Sequence, residues 1–379
     1  MIEIDGSYGE GGGQVLRTAL TLSTLTGQPV LIGRIRAGRR NPGLRPQHLT
    51  NVLALAQVSD ANVRGAAIGS TEVVFQPRSE SRRGNYVFDV AQAAQGGSAG
   101  SVTLIFQTLL LPLAFAGEPS QITLKGGTHV PWSPVFEYAR DVYLPTVARM
   151  GVKAECQLRS SGFYPIGRGE ITADIHALPG SGSSKSDARL FQPVDKSGPV
   201  TSPRKISPLL LRDRGSITRV RGTAVACNLS ADIAQRMADR ATSMLRSHQI
   251  PCEVMPRRGQ GAGRGAFIFL IAEYEYANAG FSTLGERGKP SEKVAEEACQ
   301  NLLAHHADGS PVDSHLADQL LLPVALAHGE SKFRTSRITR HLLTNAHVIR
   351  QFIPASIEIH GEEGEAGQVV VEGIGHVGS

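Results

Sequence analysis

The chain has 379 residues, 41% of them hydrophobic and 19% charged, with a formal net charge of +5 and a pI near 9.1. That balance excludes a disordered chain, and the length allows two or three domains with substantial cores. The longest apolar stretch, around Thr108 to Gly117, is too short to span a bilayer and carries Pro112. The start Met1-Ile2-Glu3-Ile4-Asp5 shows neither the basic nor the apolar segment of an export signal. Cys156, Cys227, Cys252 and Cys299 lie far apart, follow no zinc spacing and read as reduced buried thiols. A soluble, cytoplasmic protein without a membrane partner is expected.

Ile2-Glu3-Ile4 reads as a short strand, Gly9 to Gly13 as a glycine loop, and Val15 to Leu25 as a helix. Pro29 to Ile35 reads as a strand, and Pro46 to Val58 as a helix that Pro46 begins. Glu72 to Phe75 and Tyr86 to Val90 alternate like sheet strands. A helix over Ser101 to Phe115 and a strand over Gln121 to Leu124 follow. Helices and strands thus alternate from the start, which predicts an α/β (α+β) fold. Leu109 to Ala116 closely matches Leu320 to Ala327, each run with an internal proline. Two or three copies of a strand–helix unit account for this echo, and so does chance likeness between Leu/Ala helices.

Leu178 to Pro208 breaks the rhythm with a Gly/Ser run and several prolines, and 180–207 reads as a flexible linker. Beyond it, Ser216 to Cys227 resembles a strand pair. Ala231 to Ser247 reads as a helix capped by Ser230, and Ala266 to Tyr274 as a strong strand. Residues 1–186 and 279–379 are therefore expected to form a large domain, with 187–278 a compact insert.

The charge is unevenly spread. Gly11 to Ser59 holds Arg17, Arg34, Arg36, Arg39, Arg40 and Arg45 with no acid, so this window alone carries +6. Ser331 to Ile357 is also free of acids and carries Lys332, Arg334, Arg337, Arg340 and Arg350. Folded together, the two windows would make a strong anion site, and a phosphate-rich ligand suits them better than a merely solvated face.

Gly9-Glu10-Gly11-Gly12-Gly13-Gln14 lies between a strand and a helix, where glycines let backbone amides approach a phosphate. No Gly-Lys-Ser/Thr follows, so it is not a P-loop, and a plain tight turn fits it equally well. Glu10, a carboxylate within a cationic loop, suits a metal ion that carries nucleotide phosphates. Gly259 to Gly265 leads into a strand rather than a helix and reads as a hairpin or loop. None of the twelve histidines shows two-His metal spacing on a helix. His48 can join the basic cluster. His341 lies inside the second basic window, where cations would keep its ring neutral and nucleophilic, though a structural histidine fits it as well.

Several strings together resemble the RNA 3'-terminal phosphate cyclase family. They are Asp5 to Gln14, Ile35 to Arg39, Pro42 to His48, Gly162 to Pro165, Gly285 to Gly288, Leu316 to Gln319 and His341 to Asn345, in family order. The resemblance implies a large domain of three repeated units, each a four-stranded sheet with two helices, like the C-terminal domain of translation initiation factor 3. It also implies a smaller inserted α/β domain, and a fold akin to the enolpyruvyl transferases. The implied activity is ATP-dependent conversion of an RNA 3'-phosphate to a 2',3'-cyclic phosphate through a histidine–AMP intermediate. On this resemblance His341 is the nucleophile, Glu10 the ligand of Mg or Mn, and Arg17, Arg36, Arg39, Gln47 and His48 are phosphate contacts. Gln107, His315, Leu316, Ala317, Asp318 and Gln319 match ATP-binding positions, Asp318 orienting the histidine or the nucleotide. The sparse aromatic residues near these motifs point to recognition centred on the RNA terminal phosphate. His315 replaces a frequent tyrosine, and Gly167-Arg168-Gly169 replaces a glycine triplet. A non-catalytic, RNA-binding branch of ribosome biogenesis shares the resemblance but lacks the histidine; an enolpyruvyl transferase lacks these motifs.

Overall fold

A computed structural model of the chain describes residues 1–93, 98–179 and 204–376. Most of the expected linker, from 180 to 203, lies outside the described residues. The chain forms β1 (Ile2–Asp5), α1 (Gly13–Thr26), β2 (Val30–Gly33), α2 (Pro46–Ser59), β3 (Asn62–Arg64) and β4 (Val73–Gln76). Next come β5 (Asn85–Asp89), α3 (Val102–Phe115), β6 (Ser120–Gly126), α4 (Phe136–Tyr138), a π-helical turn (Ala139–Tyr143), α5 (Leu144–Ala148), β7 (Ala154–Ser160) and β8 (Gly169–Ile175). After β9 (Leu210–Leu211) the chain makes β10 (Ile217–Cys227), α6 (Ala231–Ser247), β11 (Cys252–Gly259), β12 (Gly265–Tyr274), β13 (Asn278–Leu284) and α7 (Ser291–Asp308). It ends with α8 (Ser314–Leu326), β14 (His328–Thr335), α9 (Arg340–Phe352), β15 (Ser356–His360) and β16 (Gly367–Ile374).

Four four-stranded sheets result, and the fold is mixed α/β. Three share one arrangement: β1-β2-β4-β3, β5-β6-β8-β7 and β9-β14-β16-β15. In each, the first two strands of that order are parallel and the remaining pairings antiparallel. The helix after the first strand is α1, α3 or α8, except that β10 to α7 intervene before α8. The echoing runs fall in α3 and α8, at the same place in two sheets, and both helices keep an internal proline. The missing N–H of Pro112 frees the Thr108 carbonyl, which accepts from Thr21 Oγ1 of α1 at 3.3 Å.

The fourth sheet, β11-β10-β12-β13, carries α6 and α7 on one face around a smaller core of Val220, Met237, Ile268, Leu270, Val294 and Leu302. Its other face sends Val225, Phe267, Phe269 and Ile271 into the main core. Because β12 is covered on both sides, it reads as an unbroken apolar run rather than an alternating one. Ser216 to Cys227 is one long strand, not a pair, because Gly222 continues the ladder with β12 instead of turning. The segment Gly259 to Gly265 is a loop and not a hairpin, since β11 and β12 flank β10 and do not pair. By pairing and packing, β13 and α7 go with this fourth sheet, while β9 goes with β14. The four cysteines are free thiols, and burial pushes Cys156 and Cys299 up to about 12.

Where the chain enters the insert, Arg214 is buried. It donates to the carbonyls of His305 (3.0 Å) and His306 in the last turn of α7 and lies 4.4 Å over the Tyr274 ring. Arg214→Ala strands those carbonyls and is expected to lower the unfolding free energy by about 2–4 kcal/mol in urea denaturation. Arg214→Lys is expected to recover only part of this, because one ammonium cannot match the planar fork.

Candidate active site

The two acid-free windows meet at one end of the packed pair α1 and α9. Gly12 caps α1 without any side-chain hydrogen bond, so the first N–H groups of the helix are open to an anion. Gly9, at φ +62°, turns the loop where a Cβ would strike Thr344 Oγ1 of α9, and the Glu10 N–H points to that same oxygen at 3.4 Å. Tyr8 stacks on His347 with ring centres 3.7 Å apart. These contacts pin the N-terminal loop to a helix more than three hundred residues later.

Glu10 is the centre of the cluster. One of its carboxylate oxygens contacts Arg39, and the other lies 3.0 Å from His341 Nδ1. That approach is a charge contact without the alignment of a directed hydrogen bond, and Nδ1 has no other partner. The His341 ring is 43% exposed although Nδ1 itself is buried, so its open edge is the one that carries Nε2. Burial pushes the Glu10 carboxyl up, but His341 and Arg39 outweigh it and hold the group below its usual value. His341 departs from expectation. The contact with Glu10 raises its pKa, burial opposes this, and the carboxylate at 3.0 Å outweighs the more distant Arg17.

His341 occupies the first turn of α9, just after the N-cap Thr339, whose Oγ1 accepts the Leu342 N–H at 3.0 Å. The Thr339 hydroxyl in turn donates to Asp318 Oδ1. Burial lifts the Asp318 carboxyl to about 7, which the Thr339 bond only partly offsets. Asn345 ties the frame together, donating to the Asp318 carbonyl at 2.9 Å and accepting from Thr18 Oγ1 at 2.7 Å. Thr339, Asn345 and Thr18 were not singled out from the sequence. The cap pattern of a threonine three residues before Leu342 was the available signal for the first.

The guanidinium groups divide by role. Burial lowers the Arg17 pKa to about 10, which leaves it charged, and it makes no hydrogen bond among the described residues. Arg36 is spent on its own loop, donating to the carbonyls of Asn41 (2.7 Å) and Gly43 (3.1 Å). His48 lies beside Gly13 and Arg17. Its Nδ1 accepts the Arg45 N–H at 3.2 Å, so the other nitrogen carries the proton of the neutral ring. Burial, with Arg36, Arg17 and Arg45 nearby, drives the His48 pKa down to about 3. Gln47 Oε1 accepts the Ser101 N–H at 2.8 Å and joins α2 to the start of α3.

With this geometry in view, the comparisons with known proteins are decisive. The family model described as RNA 3'-terminal phosphate cyclase matches residues 8–359. The chain belongs to the RNA 3'-terminal phosphate cyclase family. An RNA 3'-terminal phosphate cyclase of Methylococcus capsulatus is 47% identical over 98% of this chain and 97% of its own. One from Trichormus variabilis is 47% identical (96% and 97% covered), and one from Thermococcus gammatolerans 40% (98% and 97%). The enolpyruvyl transferase NikO from Streptomyces tendae aligns with 99% of this chain and 48% of its own at TM-score 0.37 and 11% identity, too distant to argue from.

The cyclase-family positions on α3 and α8 are unequally placed. Gln107 Nε2 donates to Gln319 Oε1, and Gln319 Nε2 donates to the His315 carbonyl at 2.9 Å. His315 is exposed at the start of α8. Leu316 and Ala317 are buried in the main core, and their N–H groups go to the N-cap Asp313, so neither presents a side chain or amide to a ligand. Among the described residues no three His, Cys, Asp or Glu side chains gather as a metal site, and no helix is long and apolar enough to cross a membrane.

Two outcomes are expected. Gly13→Ala would drop a methyl onto His48 Nε2 and crowd Arg17 Nη1, costing about 1–3 kcal/mol of stability by urea denaturation. For His48, the unfolded chain takes up a proton below about 6.5 while the native ring stays neutral to about 3. Its contribution is therefore complete above 6.5 and is lost as pH falls toward 3, by at most about 1.4 kcal/mol per pH unit. In His48→Asn, which keeps an acceptor for Arg45, unfolding free energies measured across that window should fall less steeply than in wild type.

Proposed function

We propose that the chain uses ATP to convert an RNA 3'-terminal phosphate into a 2',3'-cyclic phosphate, releasing pyrophosphate and AMP. The supporting observation is the Glu10–His341 contact, which sets a half-open imidazole against the N-terminal phosphate cradle. The large body is read as three copies of one unit, of the kind found in the C-terminal domain of translation initiation factor 3. The shared strand arrangement supports that reading.

In the first step His341 Nε2 attacks the α-phosphorus of ATP. The bond to the bridging oxygen breaks and pyrophosphate departs. The imidazole must be neutral to attack, and Glu10, facing Nδ1, then offsets the positive charge that the P–N bond creates on the ring. An oxygen of the RNA 3'-phosphate next attacks the same phosphorus, and the P–N bond breaks to return the imidazole. The neighbouring 2'-hydroxyl finally attacks the RNA phosphorus and expels AMP. This closure is intramolecular, so proximity supplies much of its rate.

Arg17, unpaired beside the open start of α1, and the neutral His48 donor are placed for phosphate oxygens. Gln107 with His315 and Gln319 is assigned to the nucleotide end. Asp318 acts on the nucleophile through the Thr339 cap. A divalent ion, Mg or Mn, fits a single half-buried carboxylate such as Glu10 because such ions take few protein ligands and bind phosphate oxygens and water besides. It would neutralise charge on those oxygens. A cytoplasmic location, where ATP and RNA ends are both available, is part of this reading.

Incubation with ATP labelled at the α-phosphate plus a divalent ion should leave acid-labile, alkali-stable label on the protein. His341→Ala should abolish it. Thr339→Ala, which loosens the helix start, should slow labelling about 5- to 30-fold if a cap worth about 1–2 kcal/mol is lost in the reacting geometry. Label that survives in His341→Ala would remove the nucleophile from this histidine. No label on wild type would favour the non-catalytic RNA-binding branch.

A further inference from the structure

The sole tryptophan of the chain, Trp132, is 98% exposed and sits at φ +60°, a backbone region that bulky residues rarely adopt. Nothing in the core holds the indole there. A second exposed ring, Tyr164, 70% accessible, stands on a neighbouring loop that also exposes Ile166. Their loops are joined backbone to backbone. Thr128 N–H donates to the Gly162 carbonyl at 2.9 Å, Gly162 N–H to Thr128 Oγ1 at 2.8 Å, and His129 bridges Phe163. A third loop, the glycine run before β12, closes on the same place. Ser161 N–H donates to the Gln260 carbonyl at 2.6 Å, and Gly263 packs against Phe163 and Ile166.

The base of this surface is rigid. His129 is fully buried, with Nε2 2.8 Å from Glu137 Oε2 and Nδ1 2.7 Å from Thr128 Oγ1, and its ring stacks on Phe267 at 4.1 Å. On the same loops Arg168 and Arg264, and on β11 Arg257 and Arg258, are exposed and make no side-chain ion pair among the described residues. Hydrogen bonds tie the base of these loops to Gln47 at the candidate site. Gln47 holds Ser101, and the next residue, Val102, donates to the Gly127 carbonyl at 2.9 Å, where the Trp132 loop begins.

We infer that Trp132, Tyr164, Arg168 and Arg264 form a docking platform for single-stranded RNA upstream of the 3' end. Flat exposed rings accept any base by stacking, and the unpaired guanidinium groups track the phosphates between bases. Recognition here is of strand length and charge, not of sequence. The inference rests on the proposed RNA substrate, and it gives a use to two glycine-flanked loops that the chemistry leaves idle.

The single tryptophan makes the test direct. Wild-type protein is titrated with a 3'-phosphorylated oligouridylate of roughly 12 nucleotides and with the corresponding dinucleotide, following intrinsic fluorescence. The longer strand should quench it and the dinucleotide should not. By anisotropy of labelled RNA, Trp132→Ala should weaken the longer strand about tenfold, and Trp132→Tyr should recover most of this. Arg168→Ala with Arg264→Ala should flatten the log-affinity against log-salt slope by about 0.7 for each arginine. Dinucleotide affinity and labelling by ATP should not change in either variant. Absence of quenching, or equal weakening of the dinucleotide, would overturn the platform. Equal quenching by polyglutamate would assign the surface to an acidic protein partner and overturn it too. Failure of wild type to take label from ATP would instead sink the proposed reaction, whatever the fluorescence shows.

Discussion

A buried or half-buried charge needs a partner, and the arrangement of this molecule around Glu10 follows from that requirement. The carboxylate sits on a glycine loop whose turns are closed by backbone bonds such as Gly11 N–H to the Tyr8 carbonyl, but whose glycines supply no side chains to hold Glu10 itself. Its position is fixed from outside by Thr344, His341 and Arg39. Two of those three belong to α9, so the loop has its shape only once α1 and α9 have packed. His341 and the N-terminal glycine loop are thus brought together by tertiary folding. Neither half would exist in an isolated fragment.

The repeated sheet arrangement explains how such distant segments come together. Each of the three like sheets places its first helix against the shared core, and α1, α3 and α8 carry Arg17, Gln107 and Asp318 respectively. Gln107 of α3 meets Gln319 of α8, and Asn345 of α9 ties the Asp318 backbone of α8 to Thr18 of α1. The insert does not interrupt this. It leaves after β9 and returns at α8, both anchored in one sheet, and the outward face of β12 is sealed against the main core.

Much of this was readable in the residues, and the failures have physical causes. Helices with clear start signals, such as the one opened by Pro46, were legible to within a residue or so. The three-residue β3 was not, because so short a strand has no period of its own to display and exists through pairing with β4. That β13 and α7 go with the fourth sheet was not legible either, because pairing and packing alone assign them. At the site, Arg17, Arg36 and Arg45 of the first acid-free window do gather about His48, whereas in the second window Arg340 pairs with Glu363 and Arg350 donates to the Ile357 carbonyl. The protonation tendency of His341 was misjudged because charge was counted along the chain, whereas a single carboxylate arriving from residue 10 dominates in space. Leu316 and Ala317 lie within the matching motif yet serve the core, which shows that a motif marks a segment and not each side chain in it.

The pairing seen at Glu10 also bears on how a nucleotide would enter. Arg39 and His341 already satisfy the carboxylate, so the proposed phosphate and metal cannot simply be added to the site. They must exchange partners with it. Transfer of Arg39 from Glu10 to a phosphate oxygen keeps the guanidinium paired and frees one carboxylate oxygen for a cation. The number of unpaired charges then stays constant through the exchange. Leaving any of these groups bare in a half-buried site would cost several kcal/mol, on the order of a buried pair broken on one side. Arg17 is the exception, charged and without a hydrogen bond before any ligand arrives. For the proposed phosphate, that standing deficit at the open start of α1 would supply the initial attraction. The Glu10 pairings then set which groups must move once it is held.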